Sequence, residues 1–192
     1  EKACVRTVHR LDAAVSGVMV FARSAKASAL LSQQIRERQF EKEYLAVVHG
    51  IPNKKSDTLE GFLEKNESKN QVYLKNSKTA EAKTIKTKYR VLQSKNNLSL
   101  LEIELLTGRT HQIRAHMASI GHPLLGEGKY NKSAEDRKMG FDKQALYSYS
   151  LKFDFKTDAG ILNYLNGKRF TVKKVWFAEE LFGKEYTKLL EK

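Results

Sequence analysis

Two short clusters concentrate the reactive side chains of this sequence. The first is His9-Arg10-Leu11-Asp12, directly ahead of an apolar run. A carboxylate beside Arg and His can act as a nucleophile or general base when a cation holds it ionised. The same four residues also suit a turn or a capping aspartate, and their types do not choose between these. The second cluster is Thr107-Gly108-Arg109-Thr110-His111-Gln112-Ile113-Arg114. It gathers two Arg, a His and a Gln at the start of a predicted helix, an arrangement suited to phosphate or another anion. An ordinary helix with exposed basic residues has the same composition. Neither cluster names a reaction unaided.

Other chemistries fit poorly. His111, His116 and His122 lie close in sequence, but the five-residue step from His111 to His116 turns roughly 140° around a helix. In a strand the same odd step points the two rings to opposite faces. No His-Glu-x-x-His or Asp-x-Asp pattern occurs, so no metal site is expected. Gly126-Glu127-Gly128 is too short for a phosphate loop and reads as a turn. Ser16 lies outside any Gly-x-Ser-x-Gly elbow. A lone cysteine, Cys4, can form neither an internal disulfide nor a Cys-rich zinc site, so a reduced, cytoplasmic setting is expected.

The elements that must position these clusters are mostly strands. Val15–Ala22 is a short Val-rich run with strand character, and Ser24 caps a predicted helix reaching about Arg38. Strands are predicted over Glu41–Gly50, Leu59–Leu63, Gln71–Lys75, Ala82–Leu92 and Leu98–Leu106, with Ser94–Asn97 as a hairpin turn. Thr110 is the expected cap of the next helix, and Gly121 its stop. Gln144–Phe155 and Arg169–Val175 read as strands and Ala178–Leu190 as a terminal helix. Met19, Met117 and Trp176 are expected in the core. Successive strands can pair as hairpins, so the class is mixed α/β (α+β) with a largely antiparallel sheet in one domain, residues 1–192.

Composition narrows the partners. Of 192 residues, 41% are hydrophobic and 30% charged, a globular balance. Thirty-five Lys and Arg against 22 Asp and Glu leave a net +13, which asks for a polyanion such as nucleic acid or an acidic membrane surface. The longest stretch free of those four residue types, Ala115–Gly126, is 12 residues. A helical span needs about 20 apolar residues, so none is expected. No secretory leader is visible, and because the chain opens at Glu1 without Met, a further upstream segment is expected.

Taken in order, the motifs resemble those of the RluA-type pseudouridine synthases. They are His9-Arg10-Leu11-Asp12 with Ser16-Gly17, the stretch Lys42 to Gly50 (KEYLAVVHG), and Thr107 to Arg114 continuing through His116, Gly121-His122-Pro123 and Gly126. The likeness covers Val8 to Tyr130, with a weaker continuation through Gln144-Ala145-Leu146. It implies isomerisation of selected uridines to pseudouridine in structured ribosomal or transfer RNA, on a bent antiparallel sheet flanked by helices, with no cofactor or metal. Asp12 matches the family's catalytic aspartate, Tyr44 its active-site tyrosine and Arg114 the arginine that pairs with the aspartate. Arg10 resembles the arginine that fills the space of the flipped nucleotide. Arg109 is a phosphate candidate, and His9 and His111 are RNA-contact candidates.

Three features depart from the family pattern. Val15 stands where Thr is usual, and Tyr147 where His is usual. The initial strands with a Lys-Pro motif, and an upstream S4-like module, are absent from this sequence, so a catalytic core lacking both is the expectation. The alternative is a non-catalytic RNA-binding protein of the same fold; a metal-independent ribonuclease is a third reading. A monomer is the expected state.

Overall fold

The computed structural model describes residues 4–69, 71–75 and 77–190. In chain order the strands and helices are β1 (Arg6–Thr7), β2 (Ser16–Gly17), β3 (Phe21–Ala22), α1 (Ala25–Arg36), β4 (Phe40–His49), β5 (Ser56–Asn66), β6 (Gln71–Lys75), β7 (Lys83–Lys95) and β8 (Leu98–Leu105). There follow α2 (Gln112–Ser119), α3 (Ala134–Lys138), β9 (Leu146–Phe153), β10 (Arg169–Thr171) and α4 (Trp176–Phe182). The main sheet runs β10-β9-β4-β8-β7-β5-β6 with antiparallel neighbours throughout. β2 joins β9 in parallel, sharing its outer edge with β10. The expected mixed class with a largely antiparallel sheet is what the chain forms. Among the described residues no helix is long and apolar enough to cross a membrane.

Strand β4 is the spine of the molecule because both its faces are covered. Tyr44, Ala46 and Val48 pack with Ile113 and Met117 of α2, while Leu45 and Val47 pack with Phe177, Ala178 and Phe182 of α4. Alternation along the strand therefore sorts one sequence into two cores. A third core, around Leu31 of α1 with Phe40 and Phe153, closes the end of the sheet near the Asp12 loop.

Glu43 lies on the α4 side of β4, nearly buried, with Arg169 as its ion-pair partner. On the same side the Tyr149 hydroxyl donates to Glu102 at 2.5 Å. Arg90 binds the other Glu102 oxygen at 2.7 Å. Tyr149 is the extra residue of a bulge, since Glu43 pairs with Ser150 and Tyr44 with Ser148.

Several local expectations need correction. The Val15–Ala22 run breaks into β2 and β3, because Val18 and Val20 send their amides to Ser148 and His9 rather than along one ladder. Thr110 does not cap α2: the cap position is His111, at φ 52 with no side-chain cap bond. Of the two readings left open for that helix, the one with exposed basic residues is not met, since Arg114 and His116 are both buried. The terminal helix ends early at Phe182, where Gly183 at φ 81 turns the chain into the 3-10 segment Lys184–Leu189. Trp176 is not core; it is 56% exposed and stacks on Phe141. Met117 is fully buried as expected, and Met19 half-buried. Ser24 does cap α1, accepting from the Ala27 amide at 3.1 Å.

Candidate active site

Asp12 sits on a loop tied on both sides of it. Beyond it, β2 pairs with β9, and Gly17 makes this possible: a Cβ there would lie 2.2 Å from the Ser148 carbonyl oxygen. Ahead of it, His9 Nε2 accepts from the Val20 amide at 3.0 Å. Between these ties, Val15 N closes a turn onto the Asp12 carbonyl at 3.0 Å, and Gln144 Nε2 donates to the Ala13 carbonyl at 2.8 Å. Ala14, at φ 67, takes the left-handed geometry that this turn demands.

Tyr44 comes from β4 and reaches the same place, 8% exposed. Burial pushes its phenol up to about 12, with the Asp12 charge adding to the shift and a Ser148 hydrogen bond opposing it. The phenol therefore keeps its proton at neutral pH. Arg114, on α2, approaches Asp12 from the protein side, Nη1 to Oδ2 at 4.0 Å. Its closer partner is one the sequence reading treated as part of a turn. Glu127 accepts from Arg114 Nε at 2.8 Å and from Nη2 at 2.6 Å, a bidentate pair. Burial opposes the Arg114 charge, but Glu127 and Asp12 outweigh it and hold the guanidinium above its ordinary value. Glu127 likewise stays below the usual carboxylate range despite its burial, through Arg114 and the Lys129 and Tyr130 amides.

The turn bearing Glu127 is itself fixed. The Gly126 amide donates to Asp136 at 2.8 Å, and a Cβ on Gly126 would collide with the Lys143 carbonyl oxygen at 2.1 Å. Behind Arg114, the Tyr130 ring lies 5.6 Å from the guanidinium carbon, and its hydroxyl meets His111 Nδ1 at 3.0 Å. Gln112 locks the preceding loop, accepting from Thr107 Oγ1 at 2.8 Å and the Arg109 amide at 3.1 Å. Its amide nitrogen donates to Lys86 O and Thr87 Oγ1.

Asp12 and Tyr44 open onto a cleft of about 640 Å³. Asp12 is the one carboxylate among its lining residues, whereas Arg10, Arg36, Arg38, Lys42, Lys65 and Arg109 all contribute cations. His9 also lines it, buried enough that desolvation, then the Lys42 charge, pull its pKa down to about 4. The predicted residues Asp12, Tyr44, His9, Arg10 and Arg109 thus share one space. Arg114 reaches Asp12 from behind, and His111 stands further back, bonded to Tyr130. Glu127 and Tyr130 escaped the sequence reading; the signal that could have found them is an acid framed by Gly126 and Gly128 with a tyrosine three residues on.

A buried Arg–carboxylate relay facing one carboxylate in a cationic cleft is a site for anionic substrates and carboxylate chemistry. The family model described as RNA pseudouridylate synthase matches residues 1–119. The chain belongs to this family. The RluA-type resemblance in the sequence is borne out, and pseudouridylate synthase relatives extend across more of the chain. An uncharacterized RNA pseudouridine synthase of Bacillus subtilis, YhcT, is 39% identical over 146 residues, 75% of this chain and 46% of that protein. The ribosomal large subunit pseudouridine synthase D of Zymomonas mobilis is 35% identical over 154 residues, covering 76% of this chain and 47% of its own. The chain spans about half the length of these curated relatives. Among pseudouridylate synthase structures, human RNA Pseudouridylate Synthase Domain Containing 1 shares the fold, with a TM-score of 0.75 at 23% identity over 94% of this chain and 73% of that one.

Proposed function

We propose that this chain is the catalytic core of an enzyme that converts selected uridines in structured ribosomal or transfer RNA to pseudouridine. The observation that carries the reading is Asp12, the one acid among the described residues lining a cationic cleft, 4.0 Å from buried Arg114 and close enough to Tyr44 for its charge to raise the phenol's pKa. In the reaction the N1–C1′ bond breaks, the uracil turns, and C5 bonds to C1′. C5 gives up its proton and N1 ends with one, so atoms and electrons balance without a redox partner. Asp12 supplies the carboxylate, by attack at C1′ or C6 or by promoting a glycal route. Tyr44 offers a stacking face and a proton-bearing hydroxyl, and Arg114 faces the carboxylate and orients it.

Because a stacked uridine cannot reach Asp12, the nucleotide must leave its helix. Arg10 is exposed and lines the same cleft as Asp12, which supports a role in occupying the vacated position; Arg109 lines it too and would hold a phosphate. The test is tritium release from ribosomal and transfer RNA labelled at uridine C5, with Asp12→Asn in parallel. Release by the wild type alone supports the reading. Equal release from both breaks the Asp12 assignment. Shortened RNA would turn the reading toward a ribonuclease, and salt-sensitive binding without release on any RNA toward a binding protein.

A further inference from the structure

The cleft holds a cation, Lys42, to which the described residues give no counterion. Lys42 lies two residues from Tyr44 on β4, so alternation brings both side chains to the cleft face. Its sequence neighbours are acidic but face the other way: Arg169 binds both Glu41 and Glu43 there, and Lys152 also binds Glu41 at 3.0 Å. The cleft's own carboxylate, Asp12, faces Arg114. Among the described residues no hydrogen bond or ion pair reaches the Lys42 ammonium. Its imidazole neighbour His9 is uncharged at neutral pH and offers no countercharge.

Burial pulls the Lys42 pKa below the usual lysine value. A half-buried ammonium without a counterion is a cost to the fold, and folds keep such costs where function needs them. The missing partner must be an anion that enters from the cleft. A lysine ammonium is a compact point charge with three donors, well matched to a phosphate oxygen.

We propose that Lys42 is a phosphate-binding residue that receives a backbone phosphodiester flanking the nucleotide in the Asp12 cleft. The proposal rests on the reading of RNA as substrate and adds a named electrostatic contact to it. Lys42→Met keeps the aliphatic stem and removes the charge. Binding of a fluorescein-labelled RNA stem-loop with a uridine-rich loop is measured against salt, alongside thermal melting.

The plot of log association constant against log salt should flatten by about 0.7–0.9 for Lys42→Met, the loss of one phosphate contact. Lys42→Arg should keep the wild-type slope. So should Lys174→Met, an exposed cation at a cleft on the opposite side of the sheet. Lys42→Met should also melt higher than wild type, since an uncompensated charge has gone. An unchanged slope, an equal flattening in Lys174→Met, or a lower melting temperature would overturn the assignment. The slope is read without catalysis, so it decides Lys42 whatever tritium release shows; release by the wild type with an unchanged Lys42→Met slope would sink Lys42 alone.

Discussion

Arg114 and Glu127 form a bidentate pair, Nε to Oε2 at 2.8 Å and Nη2 to Oε1 at 2.6 Å, that leaves Nη1 turned toward Asp12. Glu127 thus sets the angle at which the guanidinium meets the Asp12 carboxylate. The ion pair that the family resemblance implied is the looser half of a three-membered relay.

Breaking that relay should cost stability as well as activity. Glu127→Ala leaves a guanidinium buried without its main partner, an expected loss of ~3–5 kcal/mol in urea unfolding. Replacing Arg114 and Glu127 together by Met should recover part of this loss, because no charge is then stranded. Activity should remain absent in the double variant. Recovery of tritium release there would remove Arg114 from the chemistry.

Gly17 offers a test of loop placement. Its φ of 142 and the 2.2 Å approach to Ser148 O leave no room for a methyl group. Gly17→Ala should therefore displace β2 from β9 and shift Asp12. Tritium release is expected to fall at least ~100-fold, the scale of an ångström-sized misplacement at a reacting centre. Far-ultraviolet circular dichroism should change little, since β2 contributes two residues to the sheet.

Tyr44 can be divided into its ring and its hydroxyl. Tyr44→Phe keeps the stacking face and loses the proton and the Ser148 hydrogen bond. Its RNA affinity should stay near wild type, while the single-turnover rate should fall by roughly 10²-fold or more if the hydroxyl moves a proton. Tyr44→Ala should lose a further ~1–3 kcal/mol of RNA binding from the missing stack. Equal rates for wild type and Tyr44→Phe would confine the residue to stacking.

Acid should destabilise the fold through its buried histidines. His116 is 1% exposed, with Nδ1 2.8 Å from Thr87 Oγ1, and burial lowers its pKa from 6.5 to about 4. His9 is lowered to a similar value. Below pH 6.5 the unfolded chain takes up protons that the folded chain refuses. The stability present above that pH is therefore lost progressively as the pH falls toward 4. For His116 the loss is on the order of 2 kcal/mol. Urea midpoints at intervals from pH 7 to 4.5 check this, and His116→Gln should flatten the curve.

What the sequence disclosed was mostly local. Ser24 signals its helix because the capping bond spans three residues. Asn96 and Asn97, at φ 52 and 56, make the expected turn because asparagine tolerates that geometry. Asp12, Tyr44 and Arg114 were legible only as motifs in order; the structure gives Asp12 and Tyr44 a common cleft and brings Arg114 up behind Asp12. Glu127 was hidden because its importance comes from a partner 13 residues away, Arg114, which the sequence paired with Asp12 alone. Thr110 misled for a related reason: the Gln112 side chain holds the loop ahead of α2 that a threonine cap was expected to organise. Trp176 looked like core by type, yet the helix it begins turns its ring outward onto Phe141.

The Asp12 loop is tied down by residues made very late. The Gln144–Ala13 hydrogen bond spans 131 positions, and the Ser148 carbonyl that anchors Val18 lies later still. Synthesis runs from the N-terminus, and contacts of such separation close only once both partners exist. The Asp12 carboxylate thus leaves the ribosome ahead of β9 but gains its position only when β9 has followed it out. A nascent chain that stops short of β9 carries Asp12 without the contacts that fix its loop, so the cleft takes shape only once β9 is in place.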